Sequence, residues 1–459
     1  MKQLYLSATQ KSSGKTTLSI GLTRLFYQRG HCVQPFKKGP DYIDPMWLSL
    51  AAGRPCYNLD FHTTPAADIY RTFINYAANA DISLIEGNVG LFDSIDPRGS
   101  YSNAELVKLL QVPLILVIDA KGMGRGIAPL LLGYQTFDPA LRIHGVILNQ
   151  VGGERHANNL RRVIEHYTDL PILGILPRYD ELSITERHLG LIPSNEITAA
   201  EEQIARIAMR VAAHVDVDAL LSLMTTASNP LPTDLIPAVM PSTPPHIRIG
   251  IARDCAFGFY YPDDLLALEH AGAELIPFSP VNDPELPTVD ALFIGGGFPE
   301  CYMQALEDNH TMRQAIKNWV ADNKPVYAEC GGLMYLCQRI HWHGHVNQLC
   351  GVLNADIAMH PRPQGRGYVR LRETAAFPWA GDDLIGREVL AHEFHHSSVI
   401  KTDPTWQYAY DVLRGSGVDG QHDGIVAQNV LANYAHLRST GGNNWTGRFV
   451  QHICKTLDG

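Results

Sequence analysis

The chain has 459 residues, 45% of them hydrophobic and 18% charged, and 37 Lys and Arg against 47 Asp and Glu give a formal charge of −10. That composition excludes a disordered chain and suits two or three domains of roughly 150 residues each, while the acidic balance speaks against partnership with nucleic acid. No apolar run approaches the ~18 residues of a membrane span, and the amino terminus lacks a secretion signal's apolar core. A cytoplasmic chain without a membrane partner is expected. The eight cysteines include no C-x-x-C pair, so neither a disulfide framework nor structural zinc is expected.

In chain order, LYLSA (4–8) reads as a first strand and leads into Thr9-Gln10-Lys11-Ser12-Ser13-Gly14-Lys15-Thr16-Thr17. Leu18, Leu22, Leu25 and Phe26 then share one helical face, and Gly30 stands where a carboxyl-terminal cap belongs. Small residues at a strand-to-helix turn let backbone amides face phosphate oxygens, with the helix dipole in support. Ser12, Ser13, Gly14, Lys15, Thr16 and Thr17 are therefore candidates for binding ATP. Lys15 is placed to reach the β and γ phosphates and the Thr16 hydroxyl to ligate Mg²⁺. The first glycine of the strict motif is replaced, since Ala8 stands six residues before Gly14.

KKGPDYIDP (37–45) follows a second strand, where substrate and phosphate groups meet in such sheets. Lys37, Lys38 and Asp44 are expected on the substrate side there, and Asp41 near the metal. ISLIEG (82–87), LILVIDA (114–120) and GVILNQV (145–151) read as strands buried on both faces. Glu86 and Asp119 end two of them, and either can hold Mg²⁺ or serve only as a turn residue. Six prolines between Pro230 and Pro245 then exclude helix and central strand. The chain divides into residues 1–225, a proline-rich linker 226–245, and residues 246–459.

In the second part IRIGIA (247–252), ALFIGGG (291–297) and PVYAEC (325–330) repeat the buried-strand pattern. Two α/β domains, each a doubly wound and mainly parallel sheet, is the expected architecture. Cys330 has Ala328 two residues before it and Gly332 two after, the spacing of a nucleophile elbow, and opens a helix whose dipole favours a thiolate. Amides of Gly296, Gly297 and Gly331 are candidates for an oxyanion hole, and His436 for the base. HWHGH (341–345) reads as a hairpin. Arg362, Arg366 and Arg370 in HPRPQGRGYVR are a basic stretch suited to carboxylates. His392-Glu393-Phe394-His395-His396 matches H-E-x-x-H, but its flanks favour a strand over the helix that zinc chemistry needs.

The first part resembles the dethiobiotin-synthetase-like P-loop enzymes, and the second a class I glutamine amidotransferase of cobyrinate/cobyrate type. KKGPDYIDP (37–45), GRPCYNLD (53–60), IEGNVGLFD (85–93), RHLGLIP (187–193), ARDCAFGFYY (252–261), FSPVND (278–283), GGGFPE (295–300), AECGGLMYL (328–336) and HEFHHS (392–397) resemble the landmarks of the cobyrinic acid a,c-diamide synthase family across nearly the whole chain. The resemblance implies ATP- and Mg²⁺-dependent phosphorylation of an anionic tetrapyrrole's acetate carboxylates, followed by attack of ammonia from glutamine. It implies Lys15 and Thr16 for ATP and Mg²⁺, Cys330 as nucleophile and His436 as its activator. Trp47 stands where the family usually has histidine. Leu437-Arg438 follow His436 in place of the usual x-His or x-Glu, so no third member of a triad is named.

Other readings keep the reaction on sirohydrochlorin or sirohaem, or make the first part a partition-type switch ATPase with a degenerate second domain. A homodimer is the assembly left open.

Overall fold

A computed structural model describes residues 2–178, 186–187, 190–197, 199–224, 246–379, 384–400, 403–440 and 442–458. The described residues fall into two compact units. The proline-rich stretch 226–245 lies outside the described residues.

The first unit is built on seven strands: β1 (Lys2–Ala8), β2 (Val33–Lys38), β3 (Tyr57–Leu59), β4 (Ile82–Glu86), β5 (Leu114–Asp119), β6 (Ile143–Val151) and β7 (Ile172–Pro177). They lie in the order β3-β2-β4-β1-β5-β6-β7 and every pairing is parallel. Near-continuous apolar runs allow this, because helices cover both faces and each successive side chain finds a dry partner. Leu4, Leu6 and Ala8 enter one core with Leu18 and Leu22 of helix α1 (Lys15–Gln28), while Tyr5 is buried on the other face.

The second unit has β8 (Ile247–Ala252), β9 (Ala273–Phe278), β10 (Ala291–Ile294), β11 (Val326–Glu329), β12 (Gly365–Glu373), β13 (Glu388–His395), β14 (Gln407–Arg414), β15 (His422–Ala427) and β16 (Val430–Asn433) in one sheet. β9-β8-β10-β11-β16 are parallel, and β15, β14, β12 and β13 continue antiparallel. The sheet is thus mixed, with the expected parallel core. Leu292, Ile294, Val326 and Ala328 face one core, and Ala291, Phe293 and Tyr327 the other. HWHGH forms the expected hairpin, Arg339–Trp342 against His345–Gln348, turning on His343 and Gly344, both at positive φ.

Gly21 lets α1 approach the helix Ala200–His214, since a Cβ there would stand 2.5 Å from a Val211 methyl carbon and 3.2 Å from one of Ile207. Gly21→Val should cost about 1–3 kcal/mol through overpacking, read as a lower denaturant midpoint with an unchanged slope.

Candidate functional site

The loop after β1 is drawn into a cradle by its own polar groups. Gly14 holds φ +86°, a conformation open to glycine at little cost, and a Cβ there would meet the Asn149 side-chain nitrogen at 2.1 Å. That nitrogen donates to the Ser13 carbonyl (2.9 Å), and the Ser13 hydroxyl donates to the Gln10 carbonyl (2.9 Å). Lys15 Nζ also donates to Gln10 (3.3 Å). α1 begins at Lys15, so the amides of its first turn face the loop. Nothing in GVILNQV (145–151) separates Asn149 from the neighbouring Gln150, so only the fold assigns it to the cradle.

Beside the cradle, ionised groups gather at the ends of β2 and β4. The Thr16 hydroxyl oxygen lies within hydrogen-bond distance of both Glu86 (2.8 Å) and Asp44 (3.1 Å), its one hydrogen serving either carboxylate. Lys37 Nζ bridges the same two carboxylates, at 2.6 Å from Glu86, and lies 3.7 Å from Asp41. Asp44, expected on the substrate side, belongs to this set, whereas Asp41 accepts from the Asp44 amide (3.1 Å) and stands further out. Burial opposes the charge on Lys37, but Asp44, Glu86 and Asp41 outweigh it and raise its pKa. Burial pushes Asp41 up to about 7, with Asp44 adding to the push. Lys38 is buried, donates to the Tyr101 carbonyl and is lowered to about 8 by burial. Both lysines are therefore interior groups, not a solvated basic surface. Asp119 closes its own turn by accepting from the Lys121 amide (3.0 Å).

Thr16, Asp44 and Glu86 offer a hard cation oxygen ligands only, which suits Mg²⁺ completed by phosphate oxygens. Among the described residues no group of three or more His, Cys, Asp or Glu could hold a metal by itself. Trp47 is buried and donates from its indole to the Ile192 carbonyl (2.9 Å).

In the second unit Cys330 joins β11 to the helix Gly331–Leu336 with φ 48° and ψ −100°, a sparsely populated conformation. Its amide donates to the Asn433 carbonyl (2.7 Å), which pins the turn to β16. A Cβ on Gly332 would stand 2.0 Å from the Ile294 carbonyl oxygen, which explains the small residue two places after the cysteine. Gly297 is as constrained, since a Cβ there would meet the Ala256 carbonyl oxygen at 2.0 Å. A Cβ on Gly331 would lie 3.0 Å from the Gly297 nitrogen, and one on Gly296 would lie 2.7 Å from His436 Cε1. The elbow, the glycine turn and the histidine thus meet at one end of the sheet.

Burial raises the Cys330 thiol, with the Glu300 and Glu329 carboxylates adding to it and the Gly331 amide pulling the other way. The sulfur lies 3.9 Å from the Phe394 carbonyl, to which the thiol donates. His436 is buried, and its Nδ1 lies 3.1 Å from Glu329 Oε2. Glu329 carries no motif that separates it from a strand-end acid, so only the fold brings it to His436.

H-E-x-x-H lies on β13, as its flanks imply. His392 bridges His436 through the backbone (2.7 Å), His395 stacks on Tyr434 with ring centres 3.8 Å apart, and Glu393 accepts from the Ser416 (2.7 Å) and Gly417 (2.9 Å) amides. These contacts are structural and do not form a zincin helix. Arg362 is exposed, Arg366 lies over the Phe394 ring, and Arg370 pairs with Glu388 (2.8 Å).

Lys15 gives a testable pH dependence. Burial, helped by Lys37, lowers its pKa to about 8. Phosphate charge at the cradle raises it again, so polyphosphate binding above about pH 8 should take up a proton and weaken as pH rises. Titration calorimetry in buffers of different ionisation heat measures the uptake, which Lys15→Met should remove.

Residues 6–191 match the CobQ/CobB/MinD/ParA nucleotide binding domain, and residues 248–444 the CobB/CobQ-like glutamine amidotransferase domain. A curated relative from Magnetococcus marinus, named cobyrinate a,c-diamide synthase, is 46% identical over 96% of this chain and 95% of its own length. Relatives of the same name from Methanosarcina acetivorans (39% identical, 98% of this chain and 95% of theirs) and Archaeoglobus fulgidus (38%, 99% and 98%) match as fully. The order of a phosphate cradle and a cysteine elbow in one chain is the order of those two domains, and the chain belongs to the cobyrinate a,c-diamide synthase family.

Proposed function

We propose that this ligase amidates the a and c acetate carboxylates of a cobyrinate-type tetrapyrrole, using ATP and taking nitrogen from glutamine. The observation that carries this reading is the joint presence of both centres in a chain that matches its named relatives nearly end to end. Among the described residues no helix is long and apolar enough to cross a membrane.

In the second unit the Cys330 sulfur attacks the glutamine amide carbon. Because burial keeps the thiol protonated, His436 has to accept its proton as the bond forms. The amides of Gly296, Gly297 and Gly331 are the donors proposed for the developing oxyanion. Ammonia leaves with a proton from His436, and water then cleaves the glutamyl thioester. In the first unit a ring carboxylate oxygen attacks the γ phosphorus of ATP, ADP leaves, and the acyl phosphate is attacked by ammonia with loss of phosphate. Lys15 and the amides of α1 hold the phosphates. Thr16, Asp44 and Glu86 would hold Mg²⁺, which supplies charge neutralisation on the β and γ phosphates when bound. The internal pairing of Lys37 supports a place in this phosphoryl set. Lys38 is the cation of the first unit proposed for a ring carboxylate.

Two variants test the division of labour. Cys330→Ala should abolish amidation with glutamine but leave amidation with added ammonium salt, and equal loss with both nitrogen sources overturns the assignment. Lys15→Ala should lower turnover at least ~10²-fold with either source, read as ADP release and product mass.

A further inference from the structure

We infer that Glu329, the residue immediately before the nucleophile, is the positioning acid that fixes the tautomer of His436. The inference rests on the glutaminase reading above and deepens it.

His436-Leu437-Arg438 places an arginine where other class I enzymes of this kind carry a carboxylate. Arg438 turns elsewhere: it pairs with Asp263 and lies over the Tyr261 ring, 4.1 Å from its centre. A buried imidazole nevertheless has an acid against it. Glu329 is buried at the end of β11, directly opposite Asn433 of β16. One carboxylate oxygen, Oε1, accepts from the Tyr327 hydroxyl and from the Leu437 amide (3.0 Å). The other, Oε2, faces His436 Nδ1 at 3.1 Å. The Asn433 side chain donates to the Tyr327 oxygen (3.1 Å) and holds that hydroxyl in place.

The donor count fixes the proton. Two donors already serve Oε1, and an ionised carboxylate only accepts, so the Nδ1 facing Oε2 must carry hydrogen. Nε2, the nitrogen remote from Glu329, then carries the lone pair that a thiol proton requires. The same carboxylate stabilises the imidazolium that forms once the proton has moved. Successive residues on one strand point to opposite sides. The positive φ of Cys330 breaks that alternation, so neighbouring residues serve one centre.

Glu329→Gln keeps the shape and reverses the logic. Tyr327 and Leu437 continue to hold an oxygen, which leaves the amide NH₂ against Nδ1. Nδ1 must then accept, the proton moves to Nε2, and the base is lost. In the full chain, Glu329→Gln should lower kcat for glutamine hydrolysis about 10²–10⁴-fold, with KM for glutamine changed less than about threefold. In a His436→Ala background the same substitution should cost less than about twofold, because Glu329 acts only through that ring. Glu329→Asp, which keeps an acceptor-only group, should recover a large part of the loss. Should Glu329→Gln fail to fold, Glu329→Asp carries the same cycle, with a smaller loss that again vanishes without His436.

An undiminished kcat in Glu329→Gln, or an equal fractional loss with and without His436, overturns the inference. Cys330→Ala separates this from failure of the underlying reading. If that variant loses ammonia-supported amidation as well, the glutaminase assignment falls. If it retains it while the cycle is additive, only the role of Glu329 falls.

Discussion

Both units bury ionised side chains at the carboxyl ends of their central strands, and neutralising those charges constrains everything around them. An unpaired buried carboxylate costs several kcal/mol, so each must be met by a cation or by fixed donors. In the first unit Lys37 meets Asp44 and Glu86, and Thr16 completes the set. In the second, Glu329 is met by a hydroxyl, an amide and an imidazole from two strand ends. The parallel strands supply the positions, because within each sheet their carboxyl ends lie along one edge. A helix then starts at that edge and contributes amides.

The two solutions differ in kind. Lys37 is a point charge whose attraction to the carboxylates around it has no fixed direction, so other charges can take its place among those oxygens. Glu329 is fixed by directed hydrogen bonds and has little freedom to move. The first arrangement suits a site that must admit a highly charged substrate. The second suits a site where one proton has to sit on one particular nitrogen.

Much of this was legible in the residues. Doubly buried strands announce themselves as unbroken Val, Ile and Leu runs, and IRIGIA at 247–252 coincides with β8. The phosphate cradle and the elbow are local motifs, set by neighbours in sequence, so Gly14-Lys15-Thr16 and Cys330-Gly331-Gly332 could be found without a fold. What escaped reading is what depends on register between distant segments. β12 alternates buried Val369 and Leu371 with exposed Arg366, Arg370 and Arg372, and the partners of that edge, Phe394 and Glu388, come from β13 further along the chain. Asn149 touches the cradle across 136 positions, and Glu329 meets His436 across 107. Neither residue type is unusual where it stands.

The enclosure of Cys330 has a consequence for endurance in an oxidising cell. Attack by peroxide requires a thiolate and a path to it, and here the residue is buried and burial favours the protonated thiol. Cys32 and Cys301, by contrast, are exposed at the surface. Oxidant in solution would therefore meet those exposed sulfurs before the enclosed nucleophile.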